Sequence, residues 1–283
     1  MYMADVIQGI WVCNLAYNVP GPAAAHRLKS WGAAITKVEP PGGDPLEGYS
    51  PAWYRQLSAG QEILRLDLKS QQGRHVLQAL LSGSDLLITS LRPSSLQRLG
   101  LDWDALHEAY PGLCQVAITG YPFPHQEQAG HDLTYQAKAG LLQPPHMPQT
   151  LLVDLAGGER AAAAGLALLI QRERSGIGGC AEVALAEVAE DFSMPYRFGS
   201  TLPNAIFGGG FPGYRLYRAS QGWIAVAALE EAFWKKLAAC LHLGLPIEKQ
   251  ALENAFLTKT AEEWEQWAEV ENLPIACVKV DNE

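Results

Sequence analysis

The sequence predicts an α/β protein: a large domain on an open, Rossmann-like, largely parallel sheet, followed by a smaller α+β domain. Three observations lead there. Short apolar runs bounded by Gly and Pro alternate with helical patterns over the first two thirds of the chain, the signature of strands joined by crossover helices. The stretch RFGSTLPNAIFGGGFPG is rich in Gly and Pro and nearly uncharged, marking a linker or loop. Beyond it the order changes to two adjacent strands, helices and a last strand. The predicted division is 1–198 for a large ligand-binding domain, 199–213 for the linker or loop, and 214–283 for the small domain.

Taken in order, Ile10–Leu15 is a first apolar run, and Asn18-Val-Pro-Gly-Pro22 turns into a helical stretch through Leu28. Ala34–Val38 reads as a second strand, stopped by Pro40-Pro41-Gly42-Gly43. Residues 44–62 look polar and irregular, with Leu64–Leu68 a third strand. Ser70–Leu81 is helical, with Val76, Leu77, Leu80 and Leu81 on one side. Leu86–Thr89 is again strand-like, Leu96–Ala109 holds a short helix, and Leu113–Ile118 makes another strand. A long helix runs to Ile170 and ends in QRERSG, basic charge followed by a Gly stop. Cys180–Leu185 is a strand and Glu187–Tyr196 a helix. In the small domain Tyr214–Tyr217 pairs with Trp223–Ala227, helices cover Ala232–His242 and Thr260–Val270, and Ile275–Val280 closes as a strand. Ligands of such sheets bind beyond the strands' carboxyl ends, here the loops NVPGP, EPPGGD and SLRPSS.

Composition excludes several classes. The chain has 48% hydrophobic and 18% charged residues and a formal net charge of −9, an ordinary globular balance. No basic block exceeds two adjacent residues, so neither nucleic acid nor an anionic membrane surface is an expected partner. The five cysteines are widely spaced without a CxxC, which argues against a zinc site or disulfide framework and for thiols in a reducing cytosol. The start MYMADVIQGIWV lacks the charged and apolar regions of a signal peptide. No apolar run approaches the roughly 18 residues of a membrane span. A cytoplasmic protein with no metal and no prosthetic group is expected. Pro20-Gly21-Pro22 lacks the GxGxxG spacing, and no GxxxxGK[ST] occurs, so NAD and P-loop readings fall away.

The chemistry concentrates between Ala129 and Arg160, AGHDLTYQAKAGLLQPPHMPQTLLVDLAGGER. It opens on His131 and Asp132 and reaches a lone acid, Asp154, ahead of the long helix. An aspartate there can cap orphan N–H groups, and the positive helix end favours its ionised form. A His and a carboxylate in one pocket instead form an acid/base pair suited to neutral pH. Taken alone, each residue reads first as structural, Asp154 as a helix cap and His131 as a packed histidine, and only then as catalytic.

Seven stretches, in register, resemble the family III CoA transferases, a group that includes the α-methylacyl-CoA racemases: NVPGPAAAHRLKSWGAAITKVEPPGGDP, LDLKSQQGR, DLLITSLRPSSLQRLGLDWDAL, PGLCQVAITG, GHDLTYQAKAGLL, VDLAGGERAAAAGLALL and GYRLYRASQGWIAVAALEEAFWKKL. The resemblance implies an acyl-CoA substrate, with coenzyme A as part of that substrate. In the transferases the acid matching Asp154 attacks the thioester and CoA moves between acids. In the racemases it is one of two bases flanking the α-carbon, and the histidine of a GHD motif is the other. Gly130-His131-Asp132 has the racemase form, and the small-domain acid of the racemases maps onto Glu230, placed to orient His131. Removal of an α-proton needs a base within reach and stabilisation of the developing enolate oxygen. Inversion needs a base on each face. Glu230 reads equally well as an acid in the first turn of a helix. For CoA the resemblance points to Lys69, Arg92 and Arg98 at the phosphates and adenine, with Tyr17 beside the pantetheine.

Three departures qualify what the resemblance implies. The basic segment usual before the DLK motif reads Ser58-Ala59-Gly60-Gln61-Glu62, the loop after the ITG strand is rewritten as Tyr121–Glu127, and the chain stops at Glu283 where such proteins continue. A homodimer is expected, without an assured interlocking of its subunits. The leading expectation is a 2-methylacyl-CoA racemase or epimerase. A CoA transferase using Asp154 as nucleophile and a non-catalytic acyl-thioester-binding relative are the alternatives, and a carrier-protein thioester can replace CoA.

Overall fold

The structure, a computed structural model, describes residues 5–279. Two compact units divide between Ser193 and Met194, upstream of the expected boundary at 198. In the first unit β1 (Trp11–Asn14), α1 (Pro20–Ser30), β2 (Ala34–Glu39), α2 (Pro45–Tyr49), α3 (Pro51–Leu57) and β3 (Glu62–Arg65) follow one another. Next come α4 (Gln71–Ser82), β4 (Leu86–Thr89), α5 (Pro93–Leu99), α6 (Trp103–Ala109) and β5 (Cys114–Thr119). The unit closes with α7 (Asp132–Lys138), α8 (Leu152–Ser175), β6 (Cys180–Ala184) and α9 (Leu185–Phe192). The six strands form one sheet in the order β3-β2-β1-β4-β5-β6, every neighbouring pair parallel. The α/β reading of the sequence is what the chain adopts.

Both faces of the central strands are covered, so β1, β4 and β5 carry buried residues on either side. Val12, Ile35, Leu86 and Ile88 join Val116 and the small residues of α1 and α8 in one buried cluster. Cys13, Leu87 and Val38 point the other way, into a cluster with Leu77, Leu81, Leu96 and Leu106. On α8 the buried residues Ala161, Ala162, Gly165, Leu168 and Leu169 recur at helical spacing. The helix stops at Gly176, which takes the left-handed conformation at φ 74°. Its start is pressed against α1: a Cβ on Gly158 would lie 2.8 Å from both the Ala23 Cβ and the Pro20 carbonyl oxygen. The two glycines of DLAGG thus allow close helix packing, and the packing fixes where Asp154 stands.

Several sequence expectations are corrected here. Residues 44–62 are not irregular: α2 and α3 fold there, each with a proline in its first turn, and the Asp44 side chain accepts the N–H of Leu46. Proline at a helix start forfeits only an orphan donor, so a stretch that reads as broken is two short helices. The third strand is Glu62–Arg65, earlier than Leu64–Leu68, and Leu66 and Leu68 pack against the cluster that holds Leu77 and Leu81. The segment 96–109 holds two helices, separated by the left-handed Gly100 and the Asp102 cap.

The second unit contains α10 (Met194–Arg197), a 3₁₀ turn (Ile206–Gly208), β7 (Tyr214–Arg218), β8 (Trp223–Ala227), α11 (Glu231–Cys240), α12 (Lys249–Phe256), α13 (Ala261–Glu271) and β9 (Ile275–Cys277). Its strands make an antiparallel sheet in the order β7-β8-β9. Tyr217, Phe256, Trp264 and Leu237 fill a separate core. Helix α12 went unread in the sequence, since its period rests on Leu252 and Phe256 alone as fully buried positions. The stretch 199–213 is a succession of hydrogen-bonded turns, with the N–H groups of Gly208 and Gly210 both donating to the Ala205 carbonyl. The predicted strand end Val280 and the first four residues of the N-terminal stretch lie outside the described residues.

Candidate active site

The strand order reverses its direction of growth between β1 and β4, and the loops leaving those strands part to open a crevice. A cavity of about 330 Å³ lies there, lined by Tyr17 and Asn18 from the first loop, Leu91 and Arg92 from the second, and His131 and Asp154. Every residue lining it belongs to the first unit.

The first loop is held by a buried ionic network. Lys37 lies 2.7 Å from an Asp44 oxygen and 3.0 Å from Glu39, with all three side chains at most 1% exposed. Tyr54 donates its hydroxyl to Glu39 at 2.8 Å. The other Asp44 oxygen accepts the backbone N–H of Asn18 at 3.0 Å, and Asn18 sits at φ 64°. Tyr17 donates its backbone N–H to the Ser90 hydroxyl at 3.2 Å. Charges this deeply buried persist when paired; here the pairing also fixes the rim of the cavity. Burial, and then Asp44 and Glu39, raise the pKa of the Tyr17 phenol, which stays neutral.

The opposite rim joins α7 to α8. Asp132 is 3% exposed, and its Oδ1 accepts the N–H of Val153 at 2.7 Å and of Asp154 at 3.0 Å. Its Oδ2 accepts from the Gln136 side chain at 2.5 Å. The acid that caps α8 is therefore Asp132. Asp154 does not serve as the cap; it lies in the first turn of the helix and lines the cavity. This corrects the expectation that Asp154 caps the helix as an ionised group. Burial, and then the charge of Asp132, push its pKa from 3.8 up to about 7. Desolvation and a neighbouring like charge outweigh the helix end. His131 precedes α7 directly, its backbone N–H donating to the Thr134 hydroxyl at 3.0 Å. Because Asp132 grips the backbone of Asp154, its neighbour His131 is brought to the same cavity.

A second cavity of about 820 Å³ continues from the first, sharing Tyr17 and Leu91, and is lined by Lys69, Arg74, Arg98, Leu66, Leu68 and Leu99. It pairs three cations with apolar walls. Arg92 lines the first cavity and Lys69 and Arg98 the second, so the four expected cofactor-side residues, Tyr17 included, fall along one continuous trough. Ser58–Glu62 lines neither cavity. Glu230 precedes α11 in the second unit, exposed and without a side-chain hydrogen bond to that helix.

The sequence alone assigns no role to Asp132 or Arg74, although both stand inside the matching stretches. Arg74 lies in the first turns of α4, just after the Ser70 cap, which returns its side chain toward Lys69; its guanidinium donates to the Lys69 carbonyl at 3.2 Å. Asp132 follows His131 directly, and only the fold shows that its carboxylate is bound to the start of α8. Among the described residues no cluster of His, Cys, Asp and Glu could hold a metal ion, and no helix is long and apolar enough to cross a membrane.

Known proteins resemble the chain along its length. The sequence model of CoA-transferase family III matches residues 7–283. Human alpha-methylacyl-CoA racemase is 30% identical over 288 residues, 91% of this chain and 74% of the racemase. The (R)-2-hydroxy-4-methylpentanoate CoA-transferase of Clostridioides difficile is 26% identical over 95% of this chain and 78% of its own. The crystal structure of a hypothetical protein from Mycobacterium tuberculosis superposes with a TM-score of 0.83 at 27% identity, covering 98% of this chain and 84% of that one.

Proposed function

From the membership of this chain in CoA-transferase family III, an enzyme family whose relatives include both racemases and CoA transferases, we propose that it inverts the α-carbon of a 2-methylacyl-CoA thioester by two-base proton transfer. His131 and Asp154 are the two bases. One takes the α-proton while the other returns a proton to the opposite face, and each ends in the state its partner began in. Lys69, Arg74 and Arg98 hold the phosphates of CoA through ionic hydrogen bonds. Tyr17 and Leu91, shared by both cavities, flank the pantetheine.

The observation that carries this reading is the Asp154 carboxyl, raised to about 7 in the cavity that His131 also lines. A group with its pKa at the working pH is populated in both states, which a base that must also act as an acid requires. A nucleophilic carboxylate has the opposite need, since only its ionised form attacks. The similarity to the C. difficile transferase nonetheless supports a second reading, CoA transfer through an Asp154 anhydride.

Incubation of one enantiomer of 2-methylbutanoyl-CoA in deuterated water separates the two. Racemisation with deuterium at the α-carbon is expected, and His131→Ala and Asp154→Asn should each lower it by about 10²–10⁴-fold. CoA transfer to a free acid without α-deuteration, lost in Asp154→Asn but little changed in His131→Ala, would establish the transferase instead. Absence of both activities would leave an acyl-thioester-binding protein.

A further inference from the structure

Tyr135 lies on α7 four residues after His131, which precedes that helix, and both line the same cavity. The residue is 3% exposed, yet its ring lines the cavity that holds Asp154. The fold makes room for its hydroxyl at two points. A Cβ on Gly120 would stand 2.5 Å from that oxygen and a Cβ on Gly130 2.6 Å from it, so any side chain at either position would displace it. The ring is steadied by an edge contact with Tyr121, centroids 5.5 Å apart.

The hydroxyl so placed has no hydrogen-bond partner among the described residues. Three other polar groups around the cavity are engaged within the protein. Thr119 donates to Glu182 at 2.8 Å, the Ser90 hydroxyl accepts from Tyr17, and the Asn18 side-chain oxygen accepts from the Tyr49 hydroxyl. Beside the apolar Pro20, Leu91, Ile118, Ala129 and Leu185, the wall also carries the polar side chains of Arg92, Gln126 and Gln128. A plain hydrocarbon chain laid here would desolvate these groups and return no hydrogen bond. An oxygen on the ligand would accept from the unpaired Tyr135 hydroxyl.

We infer that Tyr135 is a specificity-determining residue, and that this cavity takes short acyl groups carrying a hydrogen-bond-accepting oxygen, such as a hydroxyl or carbonyl, in preference to hydrocarbon ones. The inference rests on the acyl-CoA reading above and names the class of acyl group. Tyr135 serves as donor only: burial, and then the charges of Tyr121 and Asp154, push its pKa up to about 12, so it is protonated at any working pH. A site built to hydrogen-bond a substrate discriminates steeply against an analogue lacking the partner, because its buried polar group is then left unpaired.

The test uses two chiral thioesters of nearly equal size, 3-hydroxy-2-methylpropanoyl-CoA and 2-methylbutanoyl-CoA, with the full-length protein. Their preference ratio is read twice, from dissociation constants by calorimetry and from kcat/KM for α-deuteration. The oxygenated thioester should be favoured by about 10-fold or more, and the ratio should collapse toward one in Tyr135→Phe. Gly120→Ala, which displaces the hydroxyl without removing it, should lower the ratio as well. No preference in the parent protein would overturn the inference. So would an equal loss for both thioesters in Tyr135→Phe, which would assign the hydroxyl to the thioester oxygen they share. Discrimination in binding without any α-deuteration would uphold Tyr135 and sink the proton-transfer reading; α-deuteration without discrimination would do the reverse.

Discussion

Asp154 has a carboxyl that the fold prefers to keep protonated up to a pH of about 7, and two measurements follow from that one property. In the direction where Asp154 accepts the α-proton, kcat/KM should rise as pH passes through about 7; for the enantiomer to which it donates, the Asp154 limb should fall over the same range. A flat response for both enantiomers would remove Asp154 from proton transfer. Stability responds too. The folded-state value lies above the ordinary 3.8, so the fold binds this proton more tightly than the unfolded chain, and stability is lost as pH rises from about 4 to about 7. Asp154→Asn should therefore stabilise the protein at pH 8, on the order of 1–3 kcal/mol, and much less at pH 5. Urea denaturation at the two pH values checks this, and equal effects at both would refute it. The residue type was legible in VDLAGG; its charge state was not, because burial and the nearness of Asp132 are properties of the fold.

At the scale of elements, α8 begins where Asp132 reaches it. A carboxylate accepting two backbone N–H groups acts as an N-cap does, ordinarily worth about 0.5–2 kcal/mol, but it comes from another helix and so ties α7 to α8. It also adds to the Asp154 shift by its charge. Asp132→Asn separates the two roles, since the amide oxygen can still accept from Val153 and Asp154 and the Gln136 amide can turn to meet it. The pH-dependent limb assigned to Asp154 should move to lower pH, with only a small drop in thermal stability. An unmoved limb would leave burial as the whole cause of the shift. The proline-led helices α2 and α3 show what element-scale reading misses. Pro45 and Pro51 look like breaks, yet each sits where a helix has no N–H to lose, and Asp44, which begins α2, also binds Lys37 and Asn18.

At the scale of the whole chain, both cavities are lined by residues of the first unit alone, and that unit has its own sheet and cores. A fragment of residues 1–193 should fold and bind CoA with a dissociation constant within about tenfold of the full chain, a difference of about 1.4 kcal/mol. Calorimetry on both proteins decides it. Much weaker binding by a folded fragment would assign CoA contacts to residues from 194 onward.

The sequence by itself determined the α/β class, the alternation that makes the sheet parallel, the family, and the residue types His131, Asp154, Lys69, Arg92 and Arg98. These are written in local pattern: period, turn residues, and motifs whose spacing survives without knowledge of neighbours. The tertiary structure decided which side chains share a cavity, that Asp132 rather than Asp154 caps α8, that Arg74 joins Lys69 and Arg98, and that the Tyr135 hydroxyl is left free. Each of those depends on burial and on contacts between residues distant in the chain. Desolvation and pairing set the charge of a carboxyl or the freedom of a hydroxyl, and neither exists until the sheet and its helices have closed around them.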